Sequence, residues 1–170
     1  FVPTGIWASS HMSLYSSSSE FYSSLLKTYI LSNRNDTEAL EMYRDAMDSL
    51  EAVRTGSIRE NRGLFGISKT GLTYIREFDY LTKRTLNGGD CMSSEGCYLG
   101  AMLALGANEF QKLLSENQTN LNGTDIGRIN RHMKLAEDLT ETCHQASIRS
   151  VDRLLPKKFC FNDRDEATFT

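Results

Sequence analysis

Residues 97–106 read CYLGAMLALG, an almost unbroken run of small and apolar side chains. A surface helix carries polar residues along one side, and this stretch leaves almost no room for them. We therefore predict a helix that is buried on most sides, in which Gly100 and Gly106 allow neighbouring elements to approach closely. Such a helix needs several packing partners. The flanking sequence shows how many helices this segment can provide for it.

Downstream of this run, a polar, asparagine-rich stretch covers about residues 115–130 and reads as an exposed insertion. A second helical pattern then runs over about 131–148. Its inward face is predicted from apolar positions at three- and four-residue steps, namely Leu135, Leu139, Cys143 and Ala146. Past residue 150 the sequence predicts irregular chain with a turn at Leu154-Leu155-Pro156.

Upstream, two more helices are indicated. Ser17 and Glu20 have capping-box spacing, which predicts a helix over about 20–32. The same spacing from Asn35 to Glu38 opens a helix that runs to about Thr55. The inward positions predicted for the first helix are Phe21, Leu25 and Tyr29, with Tyr22 and Leu26 as alternatives. Those predicted for the second are Ala39, Met42, Tyr43, Ala46, Leu50 and Val53.

Between these helices and the 97–106 run, residues 63–78 predict a short β-hairpin that turns near Lys69-Thr70-Gly71. The chain is therefore expected to be mainly α, with two helical hairpins separated by a small β-hairpin. Antiparallel helix pairs build α/α barrels, and two pairs cannot close one. We expect residues 1–170 to be a single, incomplete segment of such a barrel.

Composition excludes some classes of partner. The net charge is −3 and acidic and basic residues are interspersed, so nothing favours a nucleic acid or an anionic membrane as partner. The chain has no signal peptide and no apolar run of about 18 residues. A membrane anchor or targeting signal is therefore expected to lie outside this segment.

Four cysteines, Cys91, Cys97, Cys143 and Cys160, allow three full pairings or buried free thiols, and their spacing fits no zinc or redox motif. Three glycosylation sequons begin at Asn35, Asn117 and Asn122, all in polar stretches beside helical patterns. Together the sequons favour the lumen of the secretory pathway.

Five blocks, in order along nearly the whole chain, resemble the class I α-mannosidases of glycoside hydrolase family 47. They are 5–13 (GIWASSHMS), 20–27 (EFYSSLLK), 71–77 (GLTYIRE), 97–107 (CYLGAMLALGA) and 135–144 (LAEDLTETCH), the last followed at matching distance by LLPKKF at 154–159. The resemblance implies a barrel of seven helix pairs, of which this chain would form well under half.

The resemblance also implies a chemistry. The family trims α-1,2-linked mannose from high-mannose N-glycans in the endoplasmic reticulum and Golgi, with inversion and a bound calcium ion. Inversion needs one carboxylic acid to protonate the leaving oxygen and one carboxylate to activate water. N-glycans or glycoproteins are the expected partners. We expect the calcium ligands outside this segment, which contributes no metal ligand.

The sequence departs from the family at its pocket. The family's catalytic Asp falls on Ser19, a pocket Glu on Ser23, a pocket His on Ser94 and another pocket carboxylate on Lys157. No catalytic residue of this stretch is therefore intact, although the four positions should converge on one concavity. Glu20 and Glu95 are possible substitutes, but Glu20 lies about 100° round the helix from Ser19 and should point elsewhere.

The family's paired cysteines fall on Cys97 and Cys143, which implies a disulfide with Cα atoms about 4.4–6.8 Å apart. Cys91 and Cys160 have no family counterpart and are left free or paired with each other. Three functions remain open at this point: an active α-1,2-mannosidase, an inactive relative that binds high-mannose glycans or glycoprotein clients, and a structural helical module.

Overall fold

The computed structural model describes residues 11–12, 14, 17–54, 64–79, 81–82, 84–85, 90–116, 123–161 and 167–169. Those ranges contain four α-helices: α1 (Ser17–Leu31), α2 (Thr37–Arg54), α3 (Cys97–Ser115) and α4 (Gly123–Arg149). They pack as the pairs α1–α2 and α3–α4. The predicted mainly α architecture of two helical hairpins is confirmed.

Short strands join the helices into one structure. They are β1 (His11–Met12), β2 (Phe65–Ile67), β3 (Thr73–Ile75), β4 (Phe78–Asp79), β5 (Arg84–Thr85), β6 (Cys91–Ser93), β7 (Lys158–Phe161) and β8 (Ala167–Phe169). They form three antiparallel sheets in the orders β1-β4-β5, β2-β3 and β6-β7-β8. A short 3₁₀ helix (Ser94–Gly96) leads from β6 into α3.

The predicted hairpin is the pair β2–β3, in which Phe65 faces Ile75 and Ile67 faces Thr73. Gly71 has a φ of 86° in its turn, a conformation that glycine adopts without a steric penalty. The prediction of irregular chain after residue 150 is wrong at 158–161 and 167–169, which form β7 and β8. β7 pairs with β6, and such a distant partner leaves no local signal in the sequence.

α1 begins at Ser17, so Ser17 is itself helical rather than the residue that precedes the helix. Its buried stripe passes through Ser19, Ser23, Leu26 and Tyr29. Phe21 is about 200° round the helix from Ser19 and is 53% exposed, which corrects its predicted inward position. Leu25 is half-buried.

α2 begins one residue later than the Asn35 cap predicts. The Asp36 carboxylate, not Asn35, accepts a hydrogen bond from the Ala39 amide at 3.0 Å. Ala39 and Tyr43 are buried and Ala46 is half-buried, as predicted, whereas Met42, about 100° round the helix from Tyr43, is exposed. The side chains of the two remaining predicted positions, Leu50 and Val53, lie outside the described residues.

α3 is buried along one face rather than on most sides. Leu99, Leu103 and Phe110 are buried, but Tyr98 and Leu105 are exposed. Its two glycines do allow the predicted close approach. A Cβ on Gly100 would lie 3.1 Å from the Thr140 hydroxyl of α4. A Cβ on Gly106 would collide with the Tyr43 hydroxyl of α2.

α4 begins at Gly123, eight residues before the predicted start, so that the polar insertion is shorter than expected. Its predicted inward face is confirmed, because Leu135, Leu139 and Ala146 are buried and Cys143 is half-buried. The fully buried Thr142 hydroxyl donates a hydrogen bond to the Thr73 carbonyl at 2.7 Å, which fastens α4 to β3.

Two disulfides cross-link the structure. Cys97 and Cys143 join α3 to α4 with a Cα–Cα distance of 6.0 Å, within the expected range. Cys91 and Cys160 are also bonded and face each other across β6 and β7. Within the ranges given above, no helix is both long and apolar enough to cross a membrane.

Candidate functional site

The first two turns of α1 place hydroxyl groups where the rest of its stripe is apolar. Ser19 and Ser23 are 3% and 4% exposed and lie one helical turn apart, in line with the fully buried Leu26. A cavity of about 520 Å³ opens beside them. Its lining consists of polar side chains from α1, the 3₁₀ helix and the start of α3: Ser19, Glu20, Ser23, Ser24, Lys27, Glu95 and Tyr98.

Local hydrogen bonds explain how serines are accommodated inside α1. The Ser23 and Ser24 hydroxyls both donate to the Glu20 carbonyl, at 2.9 and 2.8 Å. Such bonds satisfy the hydroxyl within its own helix. The small serine side chains line the cavity at this end of the stripe.

Lys27 and Tyr98 connect the two sides of the cavity. The Lys27 ammonium donates to the Tyr98 phenol oxygen at 2.8 Å and lies 5.5 Å from the centre of its ring. Hydrogen bonding by Lys27, and then by Ser23, lowers the pKa of Tyr98. The phenol is therefore a hydrogen-bonding group that is held in place from α1.

The four family pocket positions divide into two neighbouring groups. Ser19 and Ser23 line the cavity, whereas Ser94 and Lys157 are not part of its lining. Those two are adjacent to each other, because the Ser94 amide donates to the Lys157 carbonyl at 3.0 Å. Ser94 precedes Glu95 of the lining, so the second group lies directly beside the first.

Glu20 lines the same cavity as Ser19, and the expectation that it points elsewhere is wrong. The lining of α1 extends over positions i, i+1, i+4, i+5 and i+8, a face broad enough to include the neighbour of Ser19. Glu20 and Glu95, the two candidate substitutes, are both exposed and so belong to the solvated side of the cavity.

The chemistry of this lining suits a polyhydroxylated ligand. Three serine hydroxyls and a phenol can donate and accept hydrogen bonds, two carboxylates accept them, and an ammonium donates them. Among the residues whose side chains are described, no three His, Cys, Asp or Glu side chains come together to hold a metal ion. The calcium ion that the family resemblance implies, with its ligands outside this segment, stays a prediction.

Three lining residues are not predicted from the sequence: Ser24, Lys27 and Tyr98. Lys27 continues the four-residue steps that begin at Ser19 and Ser23, so helical spacing is a usable signal for it. Tyr98 is 71 residues from Lys27. Its place in the site depends on the packing of α3 against α1, for which the sequence offers no local pattern.

Of the three predicted glycosylation sites, the structure describes one. Asn35 is exposed in the link between α1 and α2, two residues before α2 begins, and its amide nitrogen donates to the Ser32 carbonyl at 2.9 Å. Asn117 and Asn122 lie outside the described residues. Glycosylation at all three stays a prediction.

Comparison with known proteins places the chain among glycosidases. The model for glycosyl hydrolase family 47 matches residues 2–170. The chain is 35% identical over 169 residues to the mannosyl-oligosaccharide 1,2-alpha-mannosidase mans-2 of Caenorhabditis elegans, covering 97% of this chain and 23% of that protein. It is 30% identical over 170 residues to the human mannosyl-oligosaccharide 1,2-alpha-mannosidase IC, covering 98% of this chain and 22% of that protein.

A solved structure shares the fold. The chain superimposes on the alpha-1,2-mannosidase from Trichoderma reesei with a TM-score of 0.60 at 16% identity, over 92% of this chain and 26% of that one. The predicted partial α/α barrel is confirmed by this likeness. The chain spans about a quarter of the length of the relatives it matches.

Proposed function

Because the chain belongs to glycosyl hydrolase family 47, we propose that its cavity is part of a cleft that recognises high-mannose N-glycans, while the full-length protein hydrolyses α-1,2-mannosides poorly or not at all. The observation that carries the proposal is the pair of buried hydroxyls, Ser19 and Ser23, on the cavity lining. Such groups can hold a sugar without being able to hydrolyse it.

The chemical reason lies in what inversion requires. The general base of an inverting glycosidase is a carboxylate that is ionised near neutral pH, whereas a serine hydroxyl keeps its proton there. General acid–base groups are usually worth about 10²–10⁴-fold each in rate. Hydroxyls at Ser19 and Ser23 and the basic Lys157 therefore imply a large loss of turnover. Binding depends on hydrogen bonds to sugar hydroxyls, which Ser23, Ser24 and Tyr98 can still make.

The two disulfides and the sequons support the lumen of the secretory pathway as the compartment of this protein. Two disulfides persist only where thiols are oxidised, as in the endoplasmic reticulum and beyond. High-mannose N-glycans are made and trimmed in that compartment. The three sequons would be accessible to glycosylation there as well.

A second candidate function is hydrolysis through replacement carboxylates, which the presence of Glu20 and Glu95 on one cavity favours. In that reaction one carboxylic acid protonates the glycosidic oxygen as the bond to the anomeric carbon breaks. The other carboxylate takes a proton from the water that attacks the same carbon. Both carboxyl groups are exposed and lie on the solvated side of the cavity, whereas the buried positions of the lining carry the hydroxyls of Ser19 and Ser23.

The decisive measurement uses the full-length protein with calcium and a free high-mannose oligosaccharide. We expect calorimetry to detect binding and mannose release to stay far below about 1 per second, the slow end of ordinary enzyme turnover. Release at ordinary rates would refute the proposal. If E20Q and E95Q then abolished that release, the replacement-carboxylate function would be established instead.

A matched pair of variants tests whether the glycan occupies this cavity. The exposed hydroxyls of Ser24 and Ser49 each donate to the carbonyl four residues earlier, at 2.8 Å, but only Ser24 lines the cavity. We expect S24L to weaken glycan binding at least about tenfold, a change of about 1.4 kcal/mol. S49L on α2 should leave it unchanged. Equal effects of the two changes would remove the cavity from the binding site.

A further inference from the structure

We infer that the Cys91–Cys160 disulfide positions the side of the cavity formed by Glu95, so that breaking this bond alone weakens glycan binding. The inference rests on the proposed function for its ligand. The effect of the disulfide on residues 91–97, which we call the rim segment, is separate from glycan binding. Whether the disulfide fixes the position of this segment can be tested without a glycan.

The rim segment lies between two covalent attachments. At one end Cys91 is bonded to Cys160 of β7, and at the other Cys97 is bonded to Cys143 of α4. Glu95 lies between them, and Tyr98 follows immediately after the second. The two bonds thus fix the ends of a short segment from which one side of the cavity projects.

The non-covalent attachment of the rim segment consists of the fully buried Met92 side chain and a short strand pairing. β6 has three residues, paired with β7 so that Met92 faces Phe159 and Ser93 faces Lys158. The next contact beyond the strand is the hydrogen bond from the Ser94 amide to the Lys157 carbonyl. β6 is an edge strand of only three residues in the sheet β6-β7-β8, so few backbone bonds fix its register and the cross-link adds a covalent constraint on that register.

Register in turn decides where Glu95 points. The 3₁₀ helix begins at the residue after β6, and the Ser93 hydroxyl caps it by accepting from the Glu95 amide at 3.3 Å. A slip of one residue along β7 would turn every β6 side chain to the other face. The helix start would rotate with it. The Cys91–Cys160 bond permits one register only, since it joins directly opposed residues.

The side of the cavity formed by α1 does not depend on this bond. Ser19, Ser23 and Ser24 are fixed within their own helix by backbone geometry and local hydrogen bonds. Loss of the disulfide should therefore weaken binding without abolishing it, because only the Glu95 side loses its alignment. Tyr98 keeps its bond to Lys27 and the neighbouring Cys97 attachment.

The test is to replace both cysteines in the full-length protein, as C91V/C160V, with β-branched residues that favour strands. Hydrogen exchange should show lost protection of the Ser94 and Phe161 amides, which bond to Lys157 and Asp90, while α3 and α4 amides stay protected. Affinity for a free high-mannose oligosaccharide should fall about tenfold. Unchanged protection at those two amides would overturn the inference, with or without a glycan.

A destabilised control separates positioning from stability. L135A truncates a buried side chain of α4 that is not part of the cavity lining, so it lowers stability while leaving the rim segment attached. We expect it to bind the oligosaccharide as the wild type does. Equal affinity losses in both variants, or no loss in C91V/C160V, would overturn the positioning role. Failure of the wild type to bind at all would refute the proposed function. The hydrogen-exchange data would still show whether the disulfide holds the rim segment against β7.

Discussion

The two helical hairpins are held together by different means. The α3–α4 pair combines a disulfide with close packing, since Gly100 brings α3 against Thr140 and the Ala136 carbonyl of α4. The α1–α2 pair has no disulfide among its described residues. It has the Asp36 cap at the start of α2, and Arg34 in the link between α1 and α2 forms ion pairs with Glu109 of α3 and with Glu116, the residue after α3.

This difference bears on the candidate site, because the cavity lies between the two hairpins. Its serine side belongs to α1, in the hairpin without a disulfide, whereas Tyr98 and Glu95 adjoin the cross-linked one. Stability and site geometry are therefore separable. Substitutions in α3 or α4 should alter mainly the free energy of unfolding. Substitutions around α1 should change the shape of the cavity with a smaller loss of that free energy.

The largest effect is expected from removing the cross-link of α3–α4. The bond joins cysteines 46 residues apart, so C97A/C143A should lower the free energy of unfolding by about 3–4 kcal/mol on the chain-entropy model. Urea unfolding of the oxidised protein measures the change. A loss below about 1 kcal/mol would mean that packing, not the disulfide, distinguishes this hairpin.

The next effect concerns the contact between the two hairpins. G106A should lower the free energy of unfolding by about 1–3 kcal/mol, because its methyl group would collide with the buried Tyr43 hydroxyl. The matched background is Y43F, which removes that hydroxyl and loses only a long bond of 3.5 Å to the Met102 carbonyl. A double-mutant cycle should show G106A to be milder in Y43F. Additive effects would contradict this account.

A smaller effect is expected within α1–α2. D36A should cost about 1 kcal/mol, because the Ala39 amide loses its capping acceptor. D36N keeps an oxygen in the same position and is the matched control, with a loss of only a few tenths of a kcal/mol expected. Thermal unfolding of both variants checks the difference. Equal losses would mean that charge rather than capping is responsible.

The smallest effect is expected from the ion pairs. R34Q removes bonds of 3.3 Å to Glu109 and 2.6 Å to Glu116, but Lys112 still neutralises Glu109 at 2.7 Å. We expect a slight fall in Tm at low ionic strength that disappears in about 1 M salt, because salt screens the partly exposed pair with Glu116, while the buried Glu109 keeps Lys112 as its partner. A fall that persists at high salt would indicate that Arg34 acts through packing or its positive φ of 66°.

The sequence predicts the helices well and the strands poorly, for a physical reason. Helical faces recur every three to four residues, so the spacing of Leu135, Leu139 and Ala146 is enough to mark them as inward positions. The β6–β7 pair joins residues nearly 70 apart in two short segments with no alternation to read. Phe21 and Met42 are mispredicted because apolar character alone does not say which of two faces a partner covers.

The candidate site divides in the same way. Family resemblance identifies Ser19 and Ser23, and their common burial follows from the four-residue spacing. Glu20 contributes more than the sequence predicts, since a rotation of about 100° excludes a residue from a narrow stripe but not from a broad cavity. Tyr98 depends on the tertiary contact with Lys27, which no spacing in the sequence reveals.

The nesting of the two disulfides has a consequence for biosynthesis. The loop of 69 residues between Cys91 and Cys160 encloses the loop of 46 between Cys97 and Cys143. Because a chain is synthesised from its N-terminus, Cys143 is made before Cys160. At that moment Cys91 and Cys97 are both available to pair with it. Each of the two is a possible first partner, and only one is native. Correct oxidation therefore depends on thiol–disulfide exchange or on prior docking of α4 against α3, and a disulfide isomerase should accelerate maturation.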